Sequence, residues 1–565
     1  MPYQPLPEAI HTLLFDVLHA DVQLAELPVF TDTDGDLMRQ VLGEAGKFVG
    51  EVVAPLHAVG DNPGCQFLAG QVTTPPGFKE AYTAFWQAGW PALSAAPEDD
   101  GQGLPWVLEG VLYEWLSAAN HGWTMAPGLL HGAYECVRHH GSAELKARYA
   151  AKLASGEWLA TMCLTEAHAG SDLGMVRTRG LPQANGSYRV SGSKIFISGG
   201  EHDLTDNIVH LVIGRLPDAP AGPKGLSLFL VPKVMPDGAS NTVVCERIEE
   251  KMGLHGSPTC VMRFDDATGW LIGEPGRGLN AMFVMMNAAR LHVALQGIGL
   301  LDAALQKADA YAQERRQMRA PGPRQSTEAA DLIAQHPAIR RILDTQRAWV
   351  DCGRVLAYTT GIELDIAKHH PNAERRARAN RWCSLVTPVL KAAFTHQAFT
   401  GASECLQVFG GHGYVKEWGI EQIVRDSRVA MIYEGTNEIQ AIDLLVRKVL
   451  PDGGAALNAL LDDVLTAHEK ANVTGNALSA TLPAHTQALR DITTALVTAS
   501  PGNAALPFWV AGDYLRAVAL VLMQWACTQL QAHTAYQPST QAFDAWVLPE
   551  LDMRLAIIRK QLTNS

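Results

Sequence analysis

The chain of 565 residues has a formal net charge of −13, with 47% hydrophobic and 18% charged residues. This composition predicts a soluble globular protein with several packed units and argues against a protein that binds nucleic acid through its phosphates. The nine cysteines lack CxxC spacing, which predicts free thiols in a cytoplasmic protein rather than a disulfide framework or a metal site.

Residues 1–160 have mainly helical spacing of apolar residues, for example Leu37, Val41, Ala45 and Phe48. The first residues contain no basic segment before an apolar run, so they predict neither a secretory signal nor a transit peptide. We expect an N-terminal extension and a helical domain over 1–160.

The pattern changes over 161–280, where short runs rich in β-branched and aromatic residues are bounded by Gly, Pro, Asn and Asp. These runs predict a compact β-domain of about six to eight strands. Because they do not alternate with helices, a dinucleotide-binding βαβ domain is not expected.

Helical patterns return over 281–451, and a further helical unit is expected over 452–565. The most apolar stretch, 506–530, contains Asp513 and Arg516, which indicates a buried bundle helix rather than a membrane span. The predicted fold class is therefore multi-domain α+β, in the order helices, strands, helices, with an extra helical unit at the end.

Two stretches of the predicted β-domain combine small and polar residues. MCLTEAHAGSDLG at 162–174 is a turn-rich stretch whose small residues allow backbone amides to approach a ligand, although an ordinary capped loop explains it equally well. In GSKIFISGGEHD at 192–203, Phe196 and Ser198 fall on one side of a strand, where they would stack on and hydrogen-bond a planar group. A core phenylalanine is the simpler explanation for that pair in isolation.

Two further stretches lie in the second helical region. YAQERRQM at 311–318 ends a long helix with two arginines, which suits either a phosphate or the helix dipole. Residues 404–440 contain FGGHGY, then Arg425 and Asp426, which are typical of a capping or salt-bridge pair, and then IYEGT. Glu434 of IYEGT is followed by turn residues, so a solvated carboxylate is the commoner explanation locally.

In this order the four stretches resemble motifs of the acyl-CoA dehydrogenase family, over about 40–450. The resemblance implies an N-terminal helical domain, a middle β-domain and a C-terminal four-helix bundle, with FAD between the last two. It also implies α,β-dehydrogenation of an acyl-CoA thioester. The tail after 452 resembles a long form of the family.

The resemblance assigns the catalytic base to Glu434 and places Arg290 near it. Some family members carry the base on the long helix immediately before this arginine, but that position here is Ala289. Removal of a weakly acidic α-proton requires a carboxylate in a dry site, where its pKa rises toward the working pH. The backbone N–H of Glu434 would help to stabilise the developing enolate.

The resemblance also implies the FAD contacts. Those from the β-domain are Leu164, Thr165, Ser171, Phe196 and Ser198, while Thr436 and Glu438 would lie near the diphosphate and adenosine end. Arg315, Gln407 and Gly411 would come from a neighbouring subunit, so at least a homodimer is expected. Ala167, Phe196 and Glu438 replace the more usual Pro, Trp, and Gln or Gly.

The implied partners are an acyl-CoA and an electron-transfer flavoprotein. An acyl-CoA oxidase that uses O₂ is an alternative from the same scaffold. A DNA-binding stress protein would require a basic terminal domain, which 452–565 does not provide, and membrane docking is disfavoured by Asp513 and Arg516. Short, thioether-containing, medium and aromatic acyl chains all remain open.

Overall fold

The computed structural model describes residues 2–323, 327–470 and 477–563. The predicted fold class is confirmed, because a largely helical region is followed by a β-sheet, a bundle of long helices and an additional helical unit. The nine cysteines are free thiols.

The N-terminal region also contains a short hairpin that the helical spacing did not predict. Its turn is Ala69-Gly70, with φ of 50° and 84°, and a turn with two positive φ values matches the twist of a tight hairpin. The elements of this region are α1 Pro7–His11, α2 Ala20–Ala25, α3 Gly35–Phe48, α4 His57–Asp61, β1 Gln66–Leu68, β2 Gln71–Thr73, α5 Phe78–Gln87, α6 Trp106–Thr124, α7 Leu130–His140 and α8 Ala143–Ser155.

The middle region is a seven-stranded sheet with the order β3-β6-β4-β5-β9-β7, in which β8 pairs with β9. Strand β6 also pairs with β7, so the sheet closes on itself around an apolar interior. The strands are β3 Leu159–Cys163, β4 Arg179–Pro182, β5 Tyr188–Ser198, β6 Ile208–Arg215, β7 Leu226–Pro232, β8 Val243–Ile248 and β9 Thr259–Ile272.

Three long helices dominate the bundle: α9 Gly278–Glu314, α10 Pro337–His369 and α11 Ala373–Phe409, followed by the short α12 Ile420–Ser427 and α13 Asn437–Ile442. A buried ion network ties two of them to the N-terminal region. Arg354 of α10 donates to Glu114 of α6 at 2.7 Å and to Asp302 of α9 at 2.8 Å. One guanidinium group thus serves two buried carboxylates, and the network links α6, α9 and α10.

The last region consists of α14 Ala455–Lys470, α15 Ala477–Ala499, α16 Leu506–Leu530, α17 Gln537–Ala542 and α18 Glu550–Thr563. Within α16, Arg516 pairs with Glu550 at 2.9 Å and Asp513 pairs with Arg554 at 2.8 Å, both toward α18. Among the described residues, α9 and α16 are long and apolar enough to cross a membrane, but most of each is buried inside the fold. A buried core helix of a soluble protein can have the same length and apolar composition as a membrane span.

Helix α12 joins three parts of the molecule. Arg425 forms a two-pronged ion pair with Asp61 of α4, at 2.9 and 2.7 Å, and Asp426 accepts a hydrogen bond of 2.6 Å from the backbone N–H of Leu254 in the β-region. The expected pairing of Arg425 with Asp426 is therefore wrong. Arg425 also pairs with Glu421 within α12, so both side chains are already occupied, and α12 leads to the loop that carries Glu434.

Candidate functional site

The loop after β3 carries three of the predicted flavin contacts, Leu164, Thr165 and Ser171. A buried ion pair holds this loop in place. Glu166 accepts hydrogen bonds from the backbone N–H groups of Arg177 and Thr178 at 2.8 and 3.0 Å. It also accepts from Lys194 Nζ at 2.9 Å. Although burial alone would raise the pKa of Glu166, the charge of Lys194 and these hydrogen bonds lower it to about 2. The carboxylate therefore stays ionised, and the loop keeps one shape.

Lys194 belongs to β5, so the same ion pair connects this loop to the strand with the other two predicted contacts. Its ammonium group also donates to the carbonyl of Leu164 at 3.0 Å, and the N–H of Ile195 donates to the carbonyl of Thr165 at 2.9 Å. Leu164 and Thr165 are half-buried, while Ser171 is exposed. The structure thus brings the two sequence stretches together, while the flavin contacts themselves stay a prediction.

Phe196 has an unusual backbone conformation. A β-bulge lies between Lys194 and Ile197, and within it Phe196 adopts φ of 59°, in the left-handed region that a bulky residue avoids. The ring is 61% exposed, whereas Ile197 faces the interior and Ser198 again faces outward. Strained conformations persist where the surroundings enforce them, and they concentrate at ligand sites. The bulge presents an uncovered aromatic face beside Ser198.

Glu434 shares this feature, with φ of 56°, and the following Gly435 has φ of 84°. The neighbouring Tyr433 is anchored by its hydroxyl, which donates to Gln296 Oε1 of α9 at 2.6 Å. The carbonyl of Glu434 accepts from Gln440 Nε2 at 2.9 Å. These contacts hold the loop against the bundle and direct the carboxylate of Glu434 into partly buried surroundings.

The electrostatics of Glu434 are those of a base that works near neutral pH. Burial raises the pKa of Glu434 to about 7, although the charges of Arg290 and Lys391 act to lower it. Arg290 itself is 8% exposed and lies 3.7 Å from Asp443. The site therefore contains a carboxylate with a pKa near 7, Glu434, and a nearby cation, Arg290.

Thr436 and Glu438 lie at the start of α13. The Thr436 hydroxyl caps this helix by accepting a hydrogen bond of 3.3 Å from the N–H of Ile439, which leaves its proton free to be donated. Glu438 is exposed. Both residues directly follow the loop that carries Glu434.

The residues expected to serve a neighbouring subunit are all on the surface. Arg315 ends α9, Gln407 lies in the last turn of α11, and Gly411 follows in a tight turn; all three are exposed. Tyr311 stacks on Phe409 with ring centroids 4.3 Å apart, which brings the two helix ends together. Arg315 follows Tyr311 by four residues and Gln407 and Gly411 flank Phe409, so all three exposed residues lie near the point where the two helix ends meet.

The residues present fit a flavin on two observations. The ring of Phe196 is exposed and free to stack on a planar group, and the half-buried Ser198 lies two residues along the same strand. A Cβ added at Gly170, Gly410 or Gly411 would meet open space within 4 Å, so the backbone is accessible at these turns. Among the described residues, no group of His, Cys, Asp or Glu side chains has the arrangement of a metal site.

Glu166 and Lys194 lie within the two stretches of the β-region, but their sequence pattern predicted no function for them, and no pattern predicted one for Lys391. The only local signal for Lys391 was a charged residue inside the apolar run VTPVLKAAF of α11. That signal is weak, because a lysine at such a position usually extends its ammonium group to solvent.

Comparison with known proteins agrees with this arrangement. Residues 38–157, 161–267 and 276–449 match the family models described as acyl-CoA dehydrogenase N-terminal domain, middle domain and C-terminal domain. The 3-methylmercaptopropionyl-CoA dehydrogenase of Ruegeria pomeroyi is 43% identical over 79% of this chain and 76% of its own length. The broad-specificity linear acyl-CoA dehydrogenase FadE5 of Mycobacterium tuberculosis is 35% identical over 79% of this chain and 75% of its own length.

Solved structures extend the likeness of the fold to the C-terminal unit. An acyl-CoA dehydrogenase from Bacillus anthracis, complexed with FAD, superposes with a TM-score of 0.75 at 19% identity, over 95% of this chain and 93% of its own. ACDH-11 of Caenorhabditis elegans, in complex with C11-CoA, gives a TM-score of 0.75 at 20% identity, over 96% and 91%. On the three matched domains and the 43% identical relative, the chain belongs to the acyl-CoA dehydrogenase family of FAD-dependent oxidoreductases.

Proposed function

We propose that the protein converts an acyl-CoA thioester into the trans-2-enoyl-CoA and that Glu434 removes the α-proton. The observation that carries this proposal is the combination of a strained backbone, partial burial and a pKa near 7 at Glu434. A carboxylate with that pKa is largely ionised above neutral pH and still basic enough to take a proton from a weak carbon acid.

Three features of the chain support the proton transfer. The charge of Arg290 favours the ionised form of Glu434 before substrate arrives. Within the described residues the backbone N–H of Glu434 makes no hydrogen bond, so it is available to the thioester carbonyl, whose oxygen gains charge as the proton leaves. The anchoring of Tyr433 to Gln296 holds both groups of Glu434 in place.

FAD, when bound, supplies the acceptor for the β-hydride at its N5 position. Leu164, Thr165, Phe196 and Ser198 would hold the flavin from the β-region, and Thr436 from the catalytic loop. Their role is to orient the cofactor beside Glu434 and to exclude water from the reacting carbons.

The experiment is anaerobic bleaching of flavin absorbance with a panel of acyl-CoAs, including 3-methylmercaptopropionyl-CoA and butyryl-CoA. Bleaching by at least one of them, and its loss in Glu434→Gln with FAD retained, is the expected result. If no acyl-CoA bleaches the flavin of the wild type, the proposed reaction is wrong. If the flavin of Glu434→Gln bleaches at the wild-type rate, Glu434 is not the base. The member that bleaches fastest identifies the acyl class.

We further propose that electrons pass to an electron-transfer flavoprotein, in keeping with the dehydrogenase names of the relatives. Admitting air to the substrate-reduced enzyme distinguishes this from the oxidase alternative. Slow reoxidation without peroxide, accelerated by an electron-transfer flavoprotein, is expected, whereas rapid peroxide formation would identify an oxidase. A cytoplasmic location stays a prediction, which fractionation of the producing cells would test.

A further inference from the structure

A lysine is buried beneath the loop of Glu434. Lys391, in the middle of α11, has 0% exposure. Its ammonium group donates to the carbonyl of Gly435 at 2.7 Å and to Asn437 Oδ1 at 3.1 Å. Among the described residues it has no carboxylate within ion-pair distance. A buried cation with only neutral partners is costly, so its presence at this position requires an explanation.

Asn437 adds further hydrogen bonds between α11 and the loop, and these bonds together with those of Lys391 are called the bracket. Asn437 Oδ1 also accepts from the hydroxyl of Thr395 at 3.1 Å, and Asn437 Nδ2 donates to the carbonyl of Ala392 at 3.1 Å. This bracket fixes the peptide group that follows Gly435. It thereby opposes relaxation of the two successive positive φ values at Glu434 and Gly435, of which the one at Glu434 is strained because its side chain is not that of glycine.

We propose that Lys391 is a positioning residue for the catalytic base: its ammonium group holds the left-handed backbone at Glu434 and Gly435, and its positive charge favours the ionised carboxylate of Glu434. The inference rests on the proposed function of Glu434 in proton abstraction. It assigns no contact between Lys391 and substrate.

The surrounding charges are consistent with this role. Glu434 faces Arg290 of α9 and Lys391 of α11, and Lys391 faces Glu434, Arg290 and, on α13, Glu438. Arg290 already has Asp443 as a carboxylate partner, which it shares with Lys448. Burial lowers the pKa of Lys391 to about 7, against the attraction of Glu434. Of the two carboxylates that attract the Lys391 charge, Glu434 acts more strongly than Glu438.

Two substitutions separate the two parts of the role. Lys391→Gln keeps an N–H donor for the Gly435 carbonyl but removes the charge, whereas Lys391→Met removes both. Lys368→Met is the control, because Lys368 is 48% exposed and pairs with Glu135 rather than with the loop of Glu434. The primary measurement is the ionisation of Glu434 in the purified protein without substrate, followed by infrared difference spectroscopy and assigned with Glu434→Gln.

Loss of the charge is expected to raise the midpoint of the Glu434 titration in both Lys391 variants, and not in Lys368→Met. The rise should be at most about 1 pH unit, because Lys391 itself titrates near pH 7 in the wild type. At high pH, Lys391→Gln should bleach near the wild-type rate, while Lys391→Met should be about 10- to 100-fold slower because its loop is no longer held. In Lys391→Gln, a bleaching rate near that of the wild type together with a raised Glu434 midpoint would not result from a general loss of stability.

An unchanged midpoint of the Glu434 titration in Lys391→Gln overturns the proposed effect of the Lys391 charge. An unchanged bleaching rate at high pH, the plateau rate, in folded Lys391→Met overturns the proposed positioning of the loop. If Lys391→Met does not fold, Asn437→Ala, which removes the bracket and keeps the lysine, decides the positioning part by the same plateau rate. If none of the acyl-CoAs bleaches the flavin of the wild type, the proposed function fails. The Glu434 titration still decides the electrostatic effect of Lys391 in that case.

Discussion

The ammonium group of Lys194 lies 2.9 Å from the carboxylate of Glu166, and this buried ion pair joins the two sequence stretches expected to hold the flavin. Lys194 is 0% and Glu166 5% exposed. Water does not screen such a pair, so removal of one partner leaves the other charge uncompensated.

Lys194→Met is expected to lower the free energy of unfolding by about 3–5 kcal/mol and to weaken FAD binding. The double variant Lys194→Met/Glu166→Met should recover most of the lost stability, because no lone charge remains. Arg189→Met, which breaks the exposed pair with Asp266, is the control and should change stability by less than about 1 kcal/mol. Urea unfolding of the apoprotein measures all three. Additive losses in the double variant would show that the pair is not coupled.

The pH dependence of the same pair has a defined sign. The pKa of Glu166 is about 2 in the folded protein, below the ordinary value of 4.5, so its contribution to stability is present above pH 4.5. That contribution should disappear as the pH falls from about 4.5 toward 2. Urea unfolding over this range should show a steeper loss in the wild type than in Glu166→Gln, and parallel curves would contradict the lowered pKa.

Phe196→Gly should separate flavin binding from folding. The ring is 61% exposed, so little buried surface is lost, and glycine accepts the φ of 59° that strains a phenylalanine. We expect apoprotein stability to change by less than about 1 kcal/mol while the Kd for FAD rises at least about 10-fold. Urea unfolding and fluorescence titration with FAD measure the two quantities. Equal losses in both would instead assign Phe196 a structural role.

Glu434→Gln should slow bleaching by at least about 100-fold with FAD still bound, since general bases contribute factors of this size. In the wild type, the bleaching rate at subsaturating acyl-CoA should rise as the pH passes through about 7, because only the ionised carboxylate accepts a proton. Stopped-flow absorbance provides both results. Glu144→Gln, an exposed carboxylate on α8, is the control and should behave as the wild type. A flat wild-type profile between pH 6 and 8 would contradict a base of this pKa.

The expected sharing of each flavin site between subunits can be tested by complementation. One subunit carries Arg315→Met with Gln407→Ala, and the other carries Phe196→Gly with Ser198→Ala. If each site combines the two sets across a dimer, mixed dimers hold one intact site and bind about half the wild-type amount of FAD. Both homodimers should bind poorly. Full FAD content in the first homodimer would remove Arg315 and Gln407 from the site.

The sequence by itself determined the order of helices and strands and the positions of the motifs. Hydrophobic period, turn residues and β-branched runs act over a few residues, so the long helices 278–314, 337–369 and 373–409 and the strand block 159–272 follow from local pattern. The resemblance then indicated Glu434, and the structure places it in a strained, partly buried loop. The short hairpin at 66–73 was missed because three-residue strands carry little periodicity.

Only the tertiary structure decided which charges meet. Arg425 pairs with Asp61, more than 360 residues away in sequence, rather than with the adjacent Asp426. The buried ammonium group of Lys391 lies under Gly435 because α11 packs against the catalytic loop. The pKa of Glu434 likewise depends on what covers the carboxylate and on which cations approach it. Desolvation and charge proximity are properties of packing between distant segments, and local sequence pattern does not encode them.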